Sequence, residues 1–591
     1  MSARELITDH LDLWTGAVTQ KRSSGRGTNG KIELTGIKKL RELILELAVR
    51  GKLVEQDPDD EPASVLLERI ADEKAWLVKE GKIKKPKKLP EIAEEEMYFE
   101  LPSGWQWERL DHLFAIVTDG DHQAPPKSEA GIPFLVISNI NKGYLDFSEC
   151  RRVPDNYYDQ LDWTKKPKKG DILYTVTGSY GIPVKVNENL GFCVQRHVAI
   201  LKASPSTPTP FLKVVLSSPY AKRIADSIAT GIAQKTVPLT GLRKLTFALP
   251  PVEEQHRIVD KVDELMALCD RLEQQVGDQL EAHEVLVDTL LDALTRSTDA
   301  AEVAESWARI AEHFDTLFTT EASIDKLKQA ILQLAVMGQL VEQDPDDEPA
   351  SELLERIAEE KARLVKQGKL KKPKAISAPQ AEDIPFQVPN NWKWCRLECL
   401  ALHSASGWSP QCNNTPRIGD EWGVLKVSAV SWGSFNSDEN KALPASLMPR
   451  PELEVKPNDF LISRANTAEL VARSAVVPED VPKNLMMSDK IVRFVFSDRV
   501  NAFYINLFNN SKISRDYYSR VAGGTSSSMK NVSRKQVQDL LVPLPPEKEQ
   551  QRIVEKVDDL MALCDHLKTR LNEAGETRTQ LAEAVVEQAV S

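Results

Sequence analysis

Residues 37–87 read IKKLRELILELAVRGKLVEQDPDDEPASVLLERIADEKAWLVKEGKIKKPK, and the same line returns 287 positions later, at 324–374, as IDKLKQAILQLAVMGQLVEQDPDDEPASELLERIAEEKARLVKQGKLKKPK, with 39 of 51 positions identical. A second pair follows: FALPPVEEQHRIVDKVDELMALCDRLEQQV at 247–276 recurs at 542–571 with 18 of 30 positions identical. Between the paired segments LPSGWQWERL, from Leu101, answers VPNNWKWCRL, from Val388, and the stretches after these share only an outline. Like frames therefore enclose unlike inserts. The period is far longer than a solenoid repeat, so the pattern is domain duplication with a pseudo-two-fold relation between copies.

The frames read as helices. Ile258, Val262, Leu265, Cys269, Leu272 and Val276 advance in steps of 4 and 3, as do Ile553, Val557, Leu560, Cys564, Leu567 and Leu571. Each set forms one apolar seam, and two such helices are natural coiled-coil mates. Before each stands Leu-Pro-Pro, at 249–251 and 544–546, where the missing proline amides end one element and start the helix afresh. Each frame also opens with a helix near 37–50 or 324–337, passes the turn-rich Gln56–Pro62 or Gln343–Pro349, and ends on a charged helix with a basic tail, 82–88 or 369–374.

Strands are expected in the inserts at 133–140, 171–177, 193–201, 423–430, 459–463 and 490–496, with helices at 210–229 and 500–520. The fold class is α+β, two mixed α/β domains joined by long antiparallel coiled-coil helices. The net charge is −12 over 591 residues, yet residues 101–249 hold 18 Lys and Arg against 13 Asp and Glu, and residues 388–544 hold 19 against 15. Two basic islands in an acidic frame suit local phosphate contact without indiscriminate DNA binding. No apolar run is long enough to cross a bilayer, and MSARELITDHLDLW lacks a secretion signal's layout, so a cytoplasmic protein with no membrane partner is expected. The seven scattered cysteines imply reduced thiols, and Cys395, Cys399, His403 and Cys412 match no standard metal spacing.

Two variable regions, each opened by Leu/Val-Pro-x-x-Trp-x-Trp and closed at 249–259 or 544–554 by Leu-Pro-Pro, Glu-Gln and Ile-Val before a long helix, resemble the specificity subunits of type I restriction-modification systems. The large Lys-Leu-Val-Glu-Gln-Asp-Pro repeat is most similar to the type IB branch. The resemblance implies an N-terminal extension at 1–36, a helical frame segment at 37–100, a target-recognition domain at 101–249, a spacer helix at 250–300, a linker and second frame segment at 301–387, a second target-recognition domain at 388–544 and a spacer helix at 545–591. It also implies that each recognition domain reads half of a bipartite site in double-stranded DNA and that the helices set the gap. The expected partners are two methyltransferase subunits and two motor-nuclease subunits. S-adenosylmethionine, ATP and Mg2+ belong to those partners, with no cofactor or metal in this chain. The seam from Ile258 to Leu294 covers about 55 Å at 1.5 Å per residue, against about 34 Å for a turn of duplex.

Base readout needs paired donors and acceptors, with cations on phosphates. The candidates in the first insert are Lys127, Asn139, Lys142, Thr177, Ser179, Tyr180, Gln195, Arg196 and Lys235. Those in the second are Lys426, Ser428, Arg464, Asn466, Thr467, Lys490, Thr525, Ser526, Ser527, Ser528 and Lys530. No catalytic residue is expected. Gly25–Lys31 has a phosphate-loop frame, but Ile32 replaces the magnesium-binding hydroxyl. Pro58-Asp59 with Asp72-Glu73-Lys74, and Pro345-Asp346 with Glu359-Glu360-Lys361, mimic a nuclease arrangement, but their second parts fall in charge-rich helices. No amino-methyltransferase motif occurs. A coiled-coil scaffold would explain the helices but not two basic inserts.

Overall fold

A computed structural model of the chain describes residues 3–21, 31–122, 125–232, 234–297, 300–370, 378–431, 433–526 and 529–590. It divides into two compact units, residues 1–280 with 573–591, and residues 281–572. Both cuts fall inside the long helices Val252–Arg296 and Glu547–Val590, so each helix begins in one unit and ends in the other.

In the first unit the repeat forms helices Thr35–Val49 and Ala63–Lys79. The chain between them turns at Gly51, whose φ is +66° and where an added Cβ would lie 2.6 Å from Pro102 Cγ. Gly338 repeats both features in the second unit, with φ +75° and Pro389 Cγ at 2.6 Å. Left-handed backbone and close approach together require glycine there.

The Gln56–Pro62 turn fastens the start of the long helix. Gln56 Nε2 donates to Glu254 Oε1 (3.0 Å), and Arg257 pairs with Asp60 (2.6 Å). In the second unit Gln343 donates to Glu549 (2.6 Å), and Arg552 pairs with Asp347 (2.7 Å). Trp105 Nε1 completes the first arrangement by donating to Glu254 Oε2 (2.9 Å). Burial is the main cause holding both the Glu254 and Glu549 carboxyls above the usual carboxylate range. The frame is thus repeated because each copy holds its own helix and its own insert by the same contacts.

Each insert is closed at its neck by pairing its opening motif with its closing one, Gln106–Arg109 against Thr246–Leu249 and Lys393–Arg396 against Leu541–Leu544. Above the neck the first head has an antiparallel four-stranded sheet in the order Ile116–Asp119, Val198–Lys202, Ile172–Thr175, Pro183–Lys185. A three-stranded sheet runs Arg151–Val153, Ile132–Leu135, Cys193–Val194, its last pair parallel. The second head repeats this topology with Ala401–Ser406, Ile491–Phe496, Phe460–Ser463, Ser474–Val476, and with Asn440–Ala442, Gly423–Leu425, Leu485–Met486. The inserts share a fold despite sharing little sequence.

Five expectations change in detail. The strands expected over 133–140 and 423–430 are shorter, Ile132–Leu135 and Gly423–Leu425, each followed by one turn of 3-10 helix, Ile137–Asn139 or Val427–Val430. The helix expected over 210–229 is two, Thr209–Ser217 and Pro219–Ile228, because Pro219 has no amide to continue the first and Ser218 caps the second. The helix expected over 500–520 likewise breaks at Ser511 into Ala502–Asn510 and Lys512–Val521. The run 193–201 is two strands separated by a turn at 195–197.

The apolar seam is buried, with Ile258 and Cys269 at 0%, Val262 at 3% and Val276 at 8% exposure, and Leu265 buried beside half-buried Leu272. Its partners include a helix that heptad spacing does not announce. Leu40, Ile44 and Leu47 of Thr35–Val49 share its core, and Arg41 reaches Asp270 (2.7 Å) and Glu273 (2.9 Å) across that contact. Ala582 of the other long helix lies in the same core. In the second unit Ile553, Val557 and Cys564 are buried, with Leu560, Leu567 and Leu571 partly so, in a core with Leu327, Ile331 and the late residues Val287, Leu291 and Leu294 of the first long helix. Lys568 pairs with Asp325 (3.0 Å) alongside.

Candidate nucleic-acid interface

Four segments meet at one edge of the first head. Val176, just past strand Ile172–Thr175, donates its N–H to His197 O (3.0 Å) and accepts from Val237 N (2.8 Å). Gly178 N donates to Lys235 O (3.0 Å), and Thr236 bridges both Thr177 and Thr230. Gly120 N reaches Val198 O (3.3 Å), bringing the chain after Ile116–Asp119 across the turn at 195–197. The loop 176–181, the turn 195–197, residues 230–232 and 234–236, and the segment 119–122 thereby form one edge.

The second head builds the same edge from other residues. Arg464 N donates to Lys490 O (2.8 Å), Val532 N to Arg464 O (2.9 Å), and Gly407 N to Ile491 O (3.3 Å). Asn466 pairs with Lys530 in the register of a small sheet formed by Ala465–Asn466, Met529–Asn531 and Gly523–Ser526. These bonds equate Val176 with Arg464, His197 with Lys490 and Lys235 with Lys530. Gly231 and Gly524 also correspond. Each has positive φ, and an added Cβ would stand 2.4 Å from a carbonyl across the hairpin, Gln234 O or Met529 O.

The structure gathers many of the sequence candidates here: Thr177, Ser179, Gln195, Arg196 and Lys235 in one head, and Arg464, Asn466, Thr467, Lys490, Lys530 and the backbone of Thr525 and Ser526 in the other. Ser527 and Ser528 lie outside the described residues. Arg196, Ser179, Lys235 and Lys490 are exposed, Gln195 and Arg464 are half-buried, and Lys530 donates to Gly524 O (2.8 Å) across its hairpin. Thr177 is 6% exposed and bonded by Thr236 Oγ1 (3.3 Å).

Other candidates are committed elsewhere. Tyr180 donates its hydroxyl to Asp226 and lies under Lys222, whose Nζ is 3.6 Å from the ring centroid. Asn466 Nδ2 donates to Ser431 Oγ (3.0 Å). Asn139 is a correction: it is 7% exposed, its Oδ1 accepts from Val136 N (3.0 Å) and its Nδ2 donates to Asp146 O (3.1 Å), so the amide holds a turn. Lys426 (3.5 Å) and Ser428 both engage Glu439 on the three-stranded sheet. Lys127 and Lys142 are exposed, the latter 3.8 Å from Asp146.

Sequence reading passed over His197, whose imidazole is pushed down in pKa by burial and by Arg196 beside it, and the hairpin residues Ile232 and Gln234. The paired signals, Gly231 four residues before Lys235 and Gly524 six residues before Lys530, each lysine with Val two positions on, were available in the sequence.

The nuclease-like residues have structural employment. Lys74 is buried, donating to Asp111 O and Phe114 O (3.0 Å), and Glu73 accepts from Ser206 (2.7 Å). Lys361 donates to Glu398 O and Cys399 O (2.7 Å each), and Glu360 accepts from Ser497 Oγ (2.6 Å). These pairs attach each charged frame helix to its head. Cys395 is buried in the second unit's core, and among the described residues no three His, Cys, Asp or Glu side chains form a metal-holding group. Residues 25–30 and 371–374, within the phosphate-loop-like frame and the second basic tail, lie outside the described residues. Among the described residues no helix is long and apolar enough to cross a membrane.

Residues 102–282 and 452–575 match the family model described as the type I restriction modification DNA specificity domain. The type I restriction enzyme EcoEI specificity subunit of Escherichia coli is 42% identical over 614 aligned residues, covering 100% of both chains. The chain belongs to the type I restriction enzyme specificity subunits. This specificity subunit is also 39% identical to the EcoAI specificity subunit of Escherichia coli, again over 100% of both chains, and both relatives are of the type IB branch. A solved structure, the HsdS subunit from Thermoanaerobacter tengcongensis, matches 83% of the specificity subunit and 98% of its own chain, at 16% identity and a TM-score of 0.42.

Proposed function

We propose that each head reads one part of a split site in double-stranded DNA through the edge just described, and that the long helices fix the gap between the parts. The observation that carries this reading is the repeated edge: the same backbone bonds and the same lysine, Lys235 or Lys530, surrounded by residues that differ, Gln195-Arg196-His197 against Ser488-Asp489-Lys490. Contacts common to two readers position the duplex on phosphates, while contacts that differ specify bases. Lys127, Lys142, Ser179, Gln195, Arg196, Lys426, Arg464, Thr467, Lys490 and residues 525–528 are the remaining candidates for contact, with Thr177 and Asn466 shaping the edge.

Chemistry in this reading belongs to partners. Two methyltransferase subunits carry S-adenosylmethionine, two motor-nuclease subunits carry ATP and Mg2+, and this chain contributes recognition alone. Buried Lys74 and half-buried Lys361, each bonded to backbone carbonyls, support that assignment. The long helices, 45 and 44 residues, are each roughly 65 Å at 1.5 Å per residue, ample for one to two turns of duplex.

The test is an exchange. Replacing residues 101–249 by the corresponding insert of another specificity subunit is expected to change one half of the methylated motif and leave the other half and the gap intact; a change in both halves, or in neither, contradicts the reading. The two lysines give a second expectation. Lys235→Ala and Lys530→Ala each weaken binding of the assembled complex to specific and unrelated duplex alike, and each lowers the slope of log affinity against log salt by about 1. Titrations across a salt series check this, and an effect confined to one base position would count against a phosphate role.

A further inference from the structure

We infer that Ile232 is a specificity-determining residue of the first head that reads the C5-methyl group of a thymine in the major groove. The inference rests on the heads being DNA readers and names one contact within that reading. Thr230 and Thr236 exchange both backbone bonds at 2.8 Å, an isolated antiparallel pair, and Gly231 (φ +105°) lets the chain close above it where any Cβ would strike Gln234 O at 2.4 Å. Paired backbones of this kind stand about 5.5 Å apart, well within the roughly 12 Å width of the major groove.

Ile232 stands beyond this closure with 106% relative exposure, while the next most exposed large hydrophobic among the described residues, Met448, reaches 84%. A branched aliphatic side chain held wholly in water gains only when something apolar covers it. Its surroundings are the exposed Gln234, Lys235 and, on the same edge, Arg196. Cations of that sign draw a phosphate backbone, and the apolar surface that a duplex offers in its major groove is the thymine methyl. Gln234 beside it carries the donor and acceptor pair that matches adenine. The corresponding positions of the second head, 525–528, are Thr-Ser-Ser-Ser, with no isoleucine, leucine or valine among them.

The test uses the full chain assembled with its methyltransferase subunits and duplexes carrying its own site, first mapped by sequencing methylated DNA. Deoxyuridine replaces thymidine in the half assigned to the first head, which deletes the methyl groups and leaves base pairing intact. Wild type is expected to lose roughly fourfold in affinity for the methyl it reads, the scale of one buried methyl or methylene. Ile232→Ala, at a site too exposed to disturb folding, is expected to bind the thymidine duplex roughly fourfold more weakly and to show no further loss with deoxyuridine. Lys235→Ala weakens both duplexes and keeps the deoxyuridine penalty. Wild-type indifference to deoxyuridine, an undiminished penalty in Ile232→Ala, or a first half-site without thymine overturns the inference while the heads remain readers. A complex that recognises no split site overturns the reading of the heads, and this contact with it.

Discussion

Arg552→Met is expected to destabilise the second unit by about 3–5 kcal/mol, the scale for orphaning one member of a buried ion pair. Its partner Asp347 has a side chain only 1% exposed, with Oδ2 held at 2.7 Å by Arg552 and Oδ1 without a hydrogen-bond partner. Removing the cation leaves a buried carboxylate with no other side-chain donor to it among the described residues. The reverse substitution, Asp347→Ala, costs less, because the Arg552 side chain is 34% exposed and turns to solvent. The asymmetry distinguishes a buried pair from a surface one, for which both losses would be below about 1 kcal/mol.

Urea unfolding of wild type and of both variants, followed by hydrogen exchange in 343–349, measures the asymmetry; equal losses from the two substitutions would contradict it.

Gly120→Ala and Gly407→Ala are each expected to disable one head. A Cβ at Gly120 would stand 2.0 Å from Val194 O, and one at Gly407 2.1 Å from Met487 O, both backbone atoms of the turn that carries Gln195-Arg196 or Asp489-Lys490. Backbone cannot yield as a flexible side chain does, so the turn shifts. Overpacking of this kind costs about 1–3 kcal/mol in the head. Displacing the turn costs a further 1–3 kcal/mol or so of binding for each base pair no longer read. Binding measured with duplexes altered in one half at a time should show discrimination lost only in the half belonging to the substituted head. Loss of discrimination in both halves from Gly120→Ala alone would show that the two edges do not act separately.

The frame was the legible part of the sequence, because its residues answer to one another within each copy. Glu254, Arg257, Gln56 and Asp60 are tied together at one turn, and the four recur together as Glu549, Arg552, Gln343 and Asp347. The heads were harder to read. Their strands are short, as at Cys193–Val194 or Leu485–Met486, and the edge is set by single backbone bonds such as Val176 N to His197 O, which any side chain permits.

Chemical type alone also misled at Asn139, because an amide suited to adenine equally suits a turn, and only the positions of Val136 N and Asp146 O decide between them. Ile232 was passed over because an aliphatic residue reads as core until its exposure is known. At Ser511 the helix breaks with no proline to announce it, at the place where Ser218-Pro219 breaks the other head's helix, so the shared tertiary fold imposes the break.

The most direct measurement is the map of methylated adenines in cells with and without this gene. One two-part motif with a fixed gap should disappear with the gene and return with it. Loss of a single uninterrupted motif, or of none, would contradict the account.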